Sequence, residues 1–196
     1  MFSVRIHGRG GQGTVTAAEL LSVAAFDEGR YAQAFPTFGS ERTGAPVVAY
    51  CRIDDRPIRL REPIEHPDAL IVQDLTLLHQ TSIFAGLSPR GFLLLNTSRT
   101  LEELLEHGLA GPAAELPAGH TVTVAGTELA RTHLGRPLPN AGLLGAFAAL
   151  TGQVSLASVS DAIRGRFAGA VAAGNVATAE AAHEQVLTTL GRPADA

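Results

Sequence analysis

The sequence predicts an α/β fold in which a mostly parallel sheet is flanked by helices, carries a β-hairpin insertion and is followed by a helical C-terminal part. Two continuous apolar runs of strand length, Ala69–Val72 and Gly91–Asn96, alternate with stretches of helical composition, the pattern of parallel strands buried on both faces. An alternating run, Phe2–Ile6, leads into a glycine loop and then a helix. Beyond Asn140 no strand-like run occurs.

The first helix spans Thr14–Glu28, because Val15, Ala18, Leu21 and Ala25 recur at helical spacing. Tyr31–Phe35 and the β-branched, aromatic run Pro46–Ile53 are the next strands. Asp54–Pro57 reads as a turn before a short partner, Ile58–Leu60, which places the hairpin insertion on these residues. Leu75–Phe84 and Thr100–His107 read as helices, His120–Val124 as the last strand and Thr127–Leu134 as a helix. Two prolines break the pattern at Gly135–Asn140, and Asn140 is a good N-cap for the helix that follows. Ala141–Leu150, Leu156–Phe167 and Ala172–Leu190 complete the helical part. Residues 1–190 are expected to form a single domain, with 191–196 as a frayed tail.

Composition narrows the function. A net charge of −4 without a long basic run lacks the footprint of a nucleic-acid binder. All fifteen basic residues are arginines, which excludes Schiff-base and P-loop lysine chemistry. The single cysteine, Cys51, excludes an intramolecular disulfide and an iron–sulfur cluster held by this chain alone. It lies in an apolar strand and reads as a small buried hydrophobe. No apolar run approaches the ~20 residues of a membrane span, so a cytoplasmic location without membrane contact is expected. The seven histidines form no metal-ligand spacing, and no G-x-S-x-G elbow is present, so neither a metal site nor a catalytic residue is assigned.

Two loops remain to be explained. Gly8, Gly10 and Gly13 fit G-x-G-x-x-G between strand and helix, where backbone without Cβ approaches an anion and the helix N-terminus favours its charge. A dinucleotide site wants an acidic residue closing the second strand, and Tyr31–Phe38 has none. Tight strand–helix packing and a different anion stay open beside the dinucleotide. Arg9, Gly11, Gln12 and Thr14 are the further candidate contacts, Arg9 through a guanidinium suited to phosphate or carboxylate. The second loop, Phe35–Pro46, places Phe38, Gly39, Ser40, Glu41, Arg42 and Gly44 between strands, in a composition suited to meeting a partner.

"GRGGQG" followed by "AFPTFGSERTGAPVVAYCRI", and then "IRLREPI" and "ALIVQD", resembles the gamma subunit of the 2-oxoacid:acceptor oxidoreductases, such as the pyruvate and 2-ketoisovalerate ferredoxin enzymes. The resemblance covers essentially the whole chain. It implies a Rossmann-like domain that is one subunit of a complex and is not catalytic alone. In that family other subunits hold thiamine diphosphate, Mg²⁺ and [4Fe–4S] clusters. The complex oxidatively decarboxylates a 2-oxoacid, usually to an acyl-coenzyme A, and passes electrons to ferredoxin. The resemblance further implies that this chain binds no cofactor by itself, aids assembly, and meets coenzyme A as substrate through Gly8–Gly13. The indolepyruvate-type subunit is an alternative, disfavoured by "FPTFGSERTGAPV". A free-standing nucleotide-binding protein using the same loop is another.

Overall fold

A computed structural model describes residues 1–37, 44–79 and 81–193. Six strands form one sheet in the order β2-β3-β1-β4-β5-β6. They are β1 (Phe2–Arg9), β2 (Tyr31–Pro36), β3 (Pro46–Asp54), β4 (Ala69–Val72), β5 (Phe92–Asn96) and β6 (Thr121–Val124). β1, β4, β5 and β6 pair in parallel, whereas β3 runs antiparallel to both β1 and β2.

The insertion is therefore a hairpin of β2 and β3, and Ile58–Leu60 is not a strand. β3 is flanked by β2 on one side and β1 on the other, so no edge remains for Ile58–Leu60 to pair with. β1 also runs further than its alternation predicts: His7, Gly8 and Arg9 stay in the sheet because Val48, Val47 and Pro46 of β3 extend beside them. β2 is an outer edge, six residues long and ending in Pro36, with Tyr31 47% exposed.

The helices are α1 (Thr14–Asp27), α2 (Leu101–Glu106), α3 (Gly126–Leu134), α4 (Asn140–Thr151), α5 (Leu156–Arg166) and α6 (Gly169–Leu190). α4 is buried at every residue from Asn140 to Leu150, as its all-round apolar sequence requires, and so is a central helix rather than a surface one. α6 packs on it with small residues at the contact: at Gly145 a Cβ would overlap the Ala179 carbonyl. One face of the sheet joins α1, α4, α5 and α6 in a single core containing Val4, Ile6, Cys51, Ile71, Leu94 and Phe147.

The opposite face is divided. Behind β4 and β5, Leu70, Val72, Leu93 and Leu95 pack with Leu77, Leu78, Ile83 and Leu104. Leu75–Phe84, expected as a helix, supplies this cover as two short 3-10 turns, Leu75–His79 and Thr81–Phe84. At the end of the second turn the carbonyls of Ile83 and Ala85 accept from Arg5 Nη2, at 2.9 and 2.6 Å, which ties this cover to β1. Behind β1 and β3 the same face carries Arg5, His7, Tyr50 and Arg52.

Asn140 is not the N-cap of α4. Pro139 takes that position, its carbonyl accepting from Leu143 N, and Asn140 is buried inside the first turn. At the far end of the chain Gly191 caps α6 and Arg192 Nη1 donates to the Ala149 carbonyl at 3.0 Å. Among the described residues no helix is long and apolar enough to cross a membrane.

Cys51 is fully buried and its thiol is pushed up to about 12 by burial, so it stays protonated. Ellman's reagent is expected to titrate no thiol in the folded chain over minutes and one thiol per chain in denaturant; rapid native labelling would contradict this placement.

Candidate functional site

The parallel strands end at one edge of the sheet, and the glycine loop lies there between β1 and α1. Its conformation follows from its glycines. Gly11 and Gly13 have φ values of 95° and 73°, which L side chains rarely adopt. Gly13 is also close to the Asn140 side chain, whose Nδ2 would lie 2.7 Å from an added Cβ. Gly8 stands inside β1, not in the loop, and a Cβ there would overlap Thr14 Oγ1. Its bareness lets Thr14 Oγ1 donate to Gln73 Oε1 at 2.7 Å.

α1 begins without a side-chain cap and without an acidic residue in its first turn. Among the described residues, chain neighbours aside, nothing lies within 4 Å of where a Cβ on Gly11 would stand. The positive end of the helix is thus offset by no side-chain cap and by no acidic residue of its own first turn.

The predicted contact residues hold the loop rather than wave in solvent. Gln12 Oε1 accepts from Arg9 N at 2.8 Å, and Gln12 Nε2 donates to Asp74 Oδ2 at 2.9 Å. Arg9 Nε lies 3.3 Å from Asp74 Oδ2, Nη2 donates to Thr76 Oγ1 at 2.6 Å, and Nη1 donates to the Gly44 carbonyl at 3.0 Å. Burial pushes the Asp74 carboxyl up. Hydrogen bonds from Thr76 and Gln12, with the Arg9 charge, outweigh it and hold the group below the usual aspartate value.

Both predicted loops meet here. Gly10 N donates to the Ala45 carbonyl at 2.9 Å, and Gly44 N donates to the Gly10 carbonyl at 3.1 Å. Gly44 is therefore joined to the glycine loop; Phe38, Gly39, Ser40, Glu41 and Arg42 lie outside the described residues.

Other residues of this edge come from distant parts of the chain. Gln73 N donates to the His7 carbonyl, and the Gln73 carbonyl accepts from Asn96 Nδ2, each at 2.7 Å. Asn96 Oδ1 in turn accepts from Thr127 N at 3.1 Å. His7 is held neutral: burial, and secondarily the Arg5 charge, brings its imidazole down to about 4. Gln73, Asp74 and Thr76 follow β4 directly, where polar residues after a fully apolar run signal the carboxyl end of a parallel strand. That signal is present in "ALIVQD", but their contact with the glycine loop depends on β4 lying beside β1.

The dinucleotide arrangement is absent. In that fold the strand after the first helix lies parallel beside the first strand, whereas here antiparallel β3 occupies that place and β2 lies beyond it. Among the described residues no group of three or more His, Cys, Asp or Glu is placed to hold a metal ion.

Comparison with known proteins agrees with this architecture. The family model described as "Pyruvate ferredoxin/flavodoxin oxidoreductase" matches residues 3–185. The "Pyruvate/ketoisovalerate oxidoreductases common subunit gamma" of Thermococcus kodakarensis is 46% identical over 187 residues, which is 95% of this chain and 98% of the relative. "Pyruvate synthase subunit PorC" of Methanosarcina barkeri is 47% identical over 164 residues, 84% of this chain and 85% of the relative. Among solved structures, the pyruvate oxidoreductase subunit PORC of Thermotoga maritima superposes with a TM-score of 0.77 at 35% identity, covering 93% of this chain and 95% of that one.

Proposed function

Since this chain belongs to the pyruvate ferredoxin/flavodoxin oxidoreductase family, we propose that it serves as the gamma-type subunit of a thiamine-dependent complex and contributes the contact for coenzyme A. The complex would act on a 2-oxoacid such as pyruvate or 2-ketoisovalerate, with thiamine diphosphate, Mg²⁺ and [4Fe–4S] clusters on other subunits and ferredoxin as acceptor. Likeness over 95% of this chain to a subunit named gamma, and over 84% to one named PorC, supports this reading. So does the lone cysteine, which is buried and protonated and leaves this chain without thiolates for a cluster. A cytoplasmic location belongs to the same reading.

The observation that carries the coenzyme A contact is the uncapped, acid-free start of α1, where among the described residues nothing crowds Gly11 beyond its chain neighbours. In this reading the backbone amides of Gly11, Gly13 and Thr14 would meet a phosphate. Arg9 and Gln12 fix the loop on Asp74, and Gly8 makes room for the Thr14–Gln73 bond beneath it. Arg9 is a positioning residue here with its charge partly spent on Asp74. The stretch Phe38–Arg42 with Gly44 is the proposed meeting point with another subunit beside this contact.

In the assembled complex, Gly11→Asp sets a carboxylate in the phosphate seat. The apparent KM for coenzyme A is expected to rise about tenfold, equivalent to about 1.4 kcal/mol of lost binding, with thiamine content unchanged. Arg9→Ala, which releases the loop from Asp74 and Gly44, is expected to raise it in the same direction. An unchanged KM in both variants would remove coenzyme A from this loop and leave it a packing device.

A further inference from the structure

Among the described residues six buried side-chain polar atoms have no hydrogen-bond partner, and four of them share one surface. They are Arg5 Nε, His7 Nε2, Gln33 Oε1 and Arg52 Nη1. Alternation puts all four residues on the outer face of the β2–β3–β1 half-sheet, since Val4, Ile6, Cys51 and Ile53 enter the core on the other side. Gln33 stands directly opposite Arg52, and Phe35 opposite Tyr50.

Arg5 and Arg52 are only 7% and 5% exposed, yet among the described residues neither has a carboxylate within 4 Å. Their satisfied N–H groups reach carbonyls: Arg5 those of Ile64, Ile83 and Ala85, and Arg52 that of Glu62 at 2.6 Å. Arg52 also lies over the Phe35 ring, 5.1 Å from its centroid. Burial draws both guanidinium groups below their ordinary value, the cost of a charge with no counter-ion.

Local acids do not cancel this charge. Asp54 is paired with the N-terminal amine, Asp55 with Arg30, and Asp68 accepts from Ser3 N. Glu62 acts on Arg52 through space but forms no ion pair with it. The next segment adds Arg56, Arg59 and Arg61, all exposed and, among the described residues, outside any ion pair, around Leu60, which is 45% exposed. A cavity of about 450 Å³ opens beside Arg52, walled also by Ser3, Glu62, Ile64, Glu65 and His66. Arg52, Arg56, Arg59 and Arg61 outnumber Glu62 and Glu65 here, so in a chain of net charge −4 this is a local excess of positive charge around a buried cation.

We propose that this half-sheet face, with the Arg56–Arg61 segment, is the docking surface for a partner subunit that inserts an acidic side chain beside Arg52. Leu60 and Tyr31 provide the apolar contacts at its rim, and the exposed arginines steer the approach. The proposal rests on the reading of the chain as a subunit of a complex and concerns a surface separate from the glycine loop.

The test uses the complex purified with its partners and the variant Gln33→Glu. This places a carboxylate across from Arg52 within the chain, which supplies the missing counter-ion internally and repels an acidic partner. The expected result is a melting temperature of the separately prepared chain no lower than wild type, together with at least about a tenfold rise in the dissociation constant for the partner subunits. The exposed double variant Arg59→Glu/Arg61→Glu is expected to weaken assembly in the same way and to steepen its sensitivity to salt less than wild type does. Wild-type affinity, within twofold, in both variants would overturn the docking surface while leaving the subunit reading intact. Loss of self-association alone, with the mixed complex preserved, would assign the face to a second copy and overturn the proposal as well. Failure of the unaltered chain to assemble with any thiamine- or cluster-bearing subunit would overturn the reading beneath it.

Discussion

Gly145→Ala is expected to lower the unfolding free energy by about 3 kcal/mol. In an isolated helix the same change stabilises by about 1 kcal/mol, because alanine loses less backbone entropy than glycine. At Gly145 the new methyl would meet backbone rather than a side chain: the Ala179 carbonyl, with its C and Cα at 2.6 and 2.8 Å. Neither group swings aside, so α4 and α6 must part along their whole contact. That contact lies in the main core, where α4 is buried all round, and no solvent-facing side of the helix can absorb the shift. Gly165→Ala in α5 is the control, since its added methyl meets nothing within 4 Å and the site is exposed. It is expected to leave stability unchanged or raise it by up to about 1 kcal/mol. Urea unfolding of the two variants beside wild type decides the matter, and equal stability of both would refute the close approach of α4 and α6.

The chain is expected to lose up to about 3 kcal/mol of stability as the pH falls from about 6.5 to about 4, through His7 alone. The folded imidazole titrates at about 4 against an ordinary 6.5, because burial, with help from the Arg5 charge, disfavours its protonated form. Between these values the unfolded chain binds a proton that the folded chain refuses, so stability rises with pH across this window and is fully present above it. His183 is also shifted down by burial, so the measurement is the difference between wild type and His7→Gln in urea at pH 7 and pH 4.5. The variant should show the smaller loss. Asp74 and Glu28 are depressed by their hydrogen bonds against the pull of burial, and their contributions disappear only at lower pH, as each carboxylate becomes protonated.

Features set by neighbours in the chain were legible in the sequence. The strand, glycine loop and helix at the N-terminus depend on local spacing and on glycines that the backbone needs, and they follow in the expected order, with Gly8 taken into the strand. The parallel strands Ala69–Val72 and Phe92–Asn96 were legible because burial on both faces leaves an unbroken apolar run. The hairpin was misplaced because Ile58–Leu60 has strand composition, and only the neighbours of β3 show that neither of its edges is vacant. Asn140 has the chemistry of a cap, yet it lies inside the first turn with its side chain against Gly13, more than a hundred residues away. Gln73 and Asp74 were invisible as site residues for the same reason: a residue at the end of β4 touches the glycine loop only once β4 has paired with β1. Arg9 was legible as a cation, but not as one already engaged by Asp74, Thr76 and Gly44.

The outer edge of β2 bears on the life of the chain before it finds its partners. An open edge strand is a template for adding strands from other molecules, and a chain made in excess of its partners would present it at every encounter. Here the template is only six residues long, and Pro36 at its end has no amide hydrogen to offer an incoming strand. The edge is therefore a poor template for strand addition, even in a copy that meets only others of its kind.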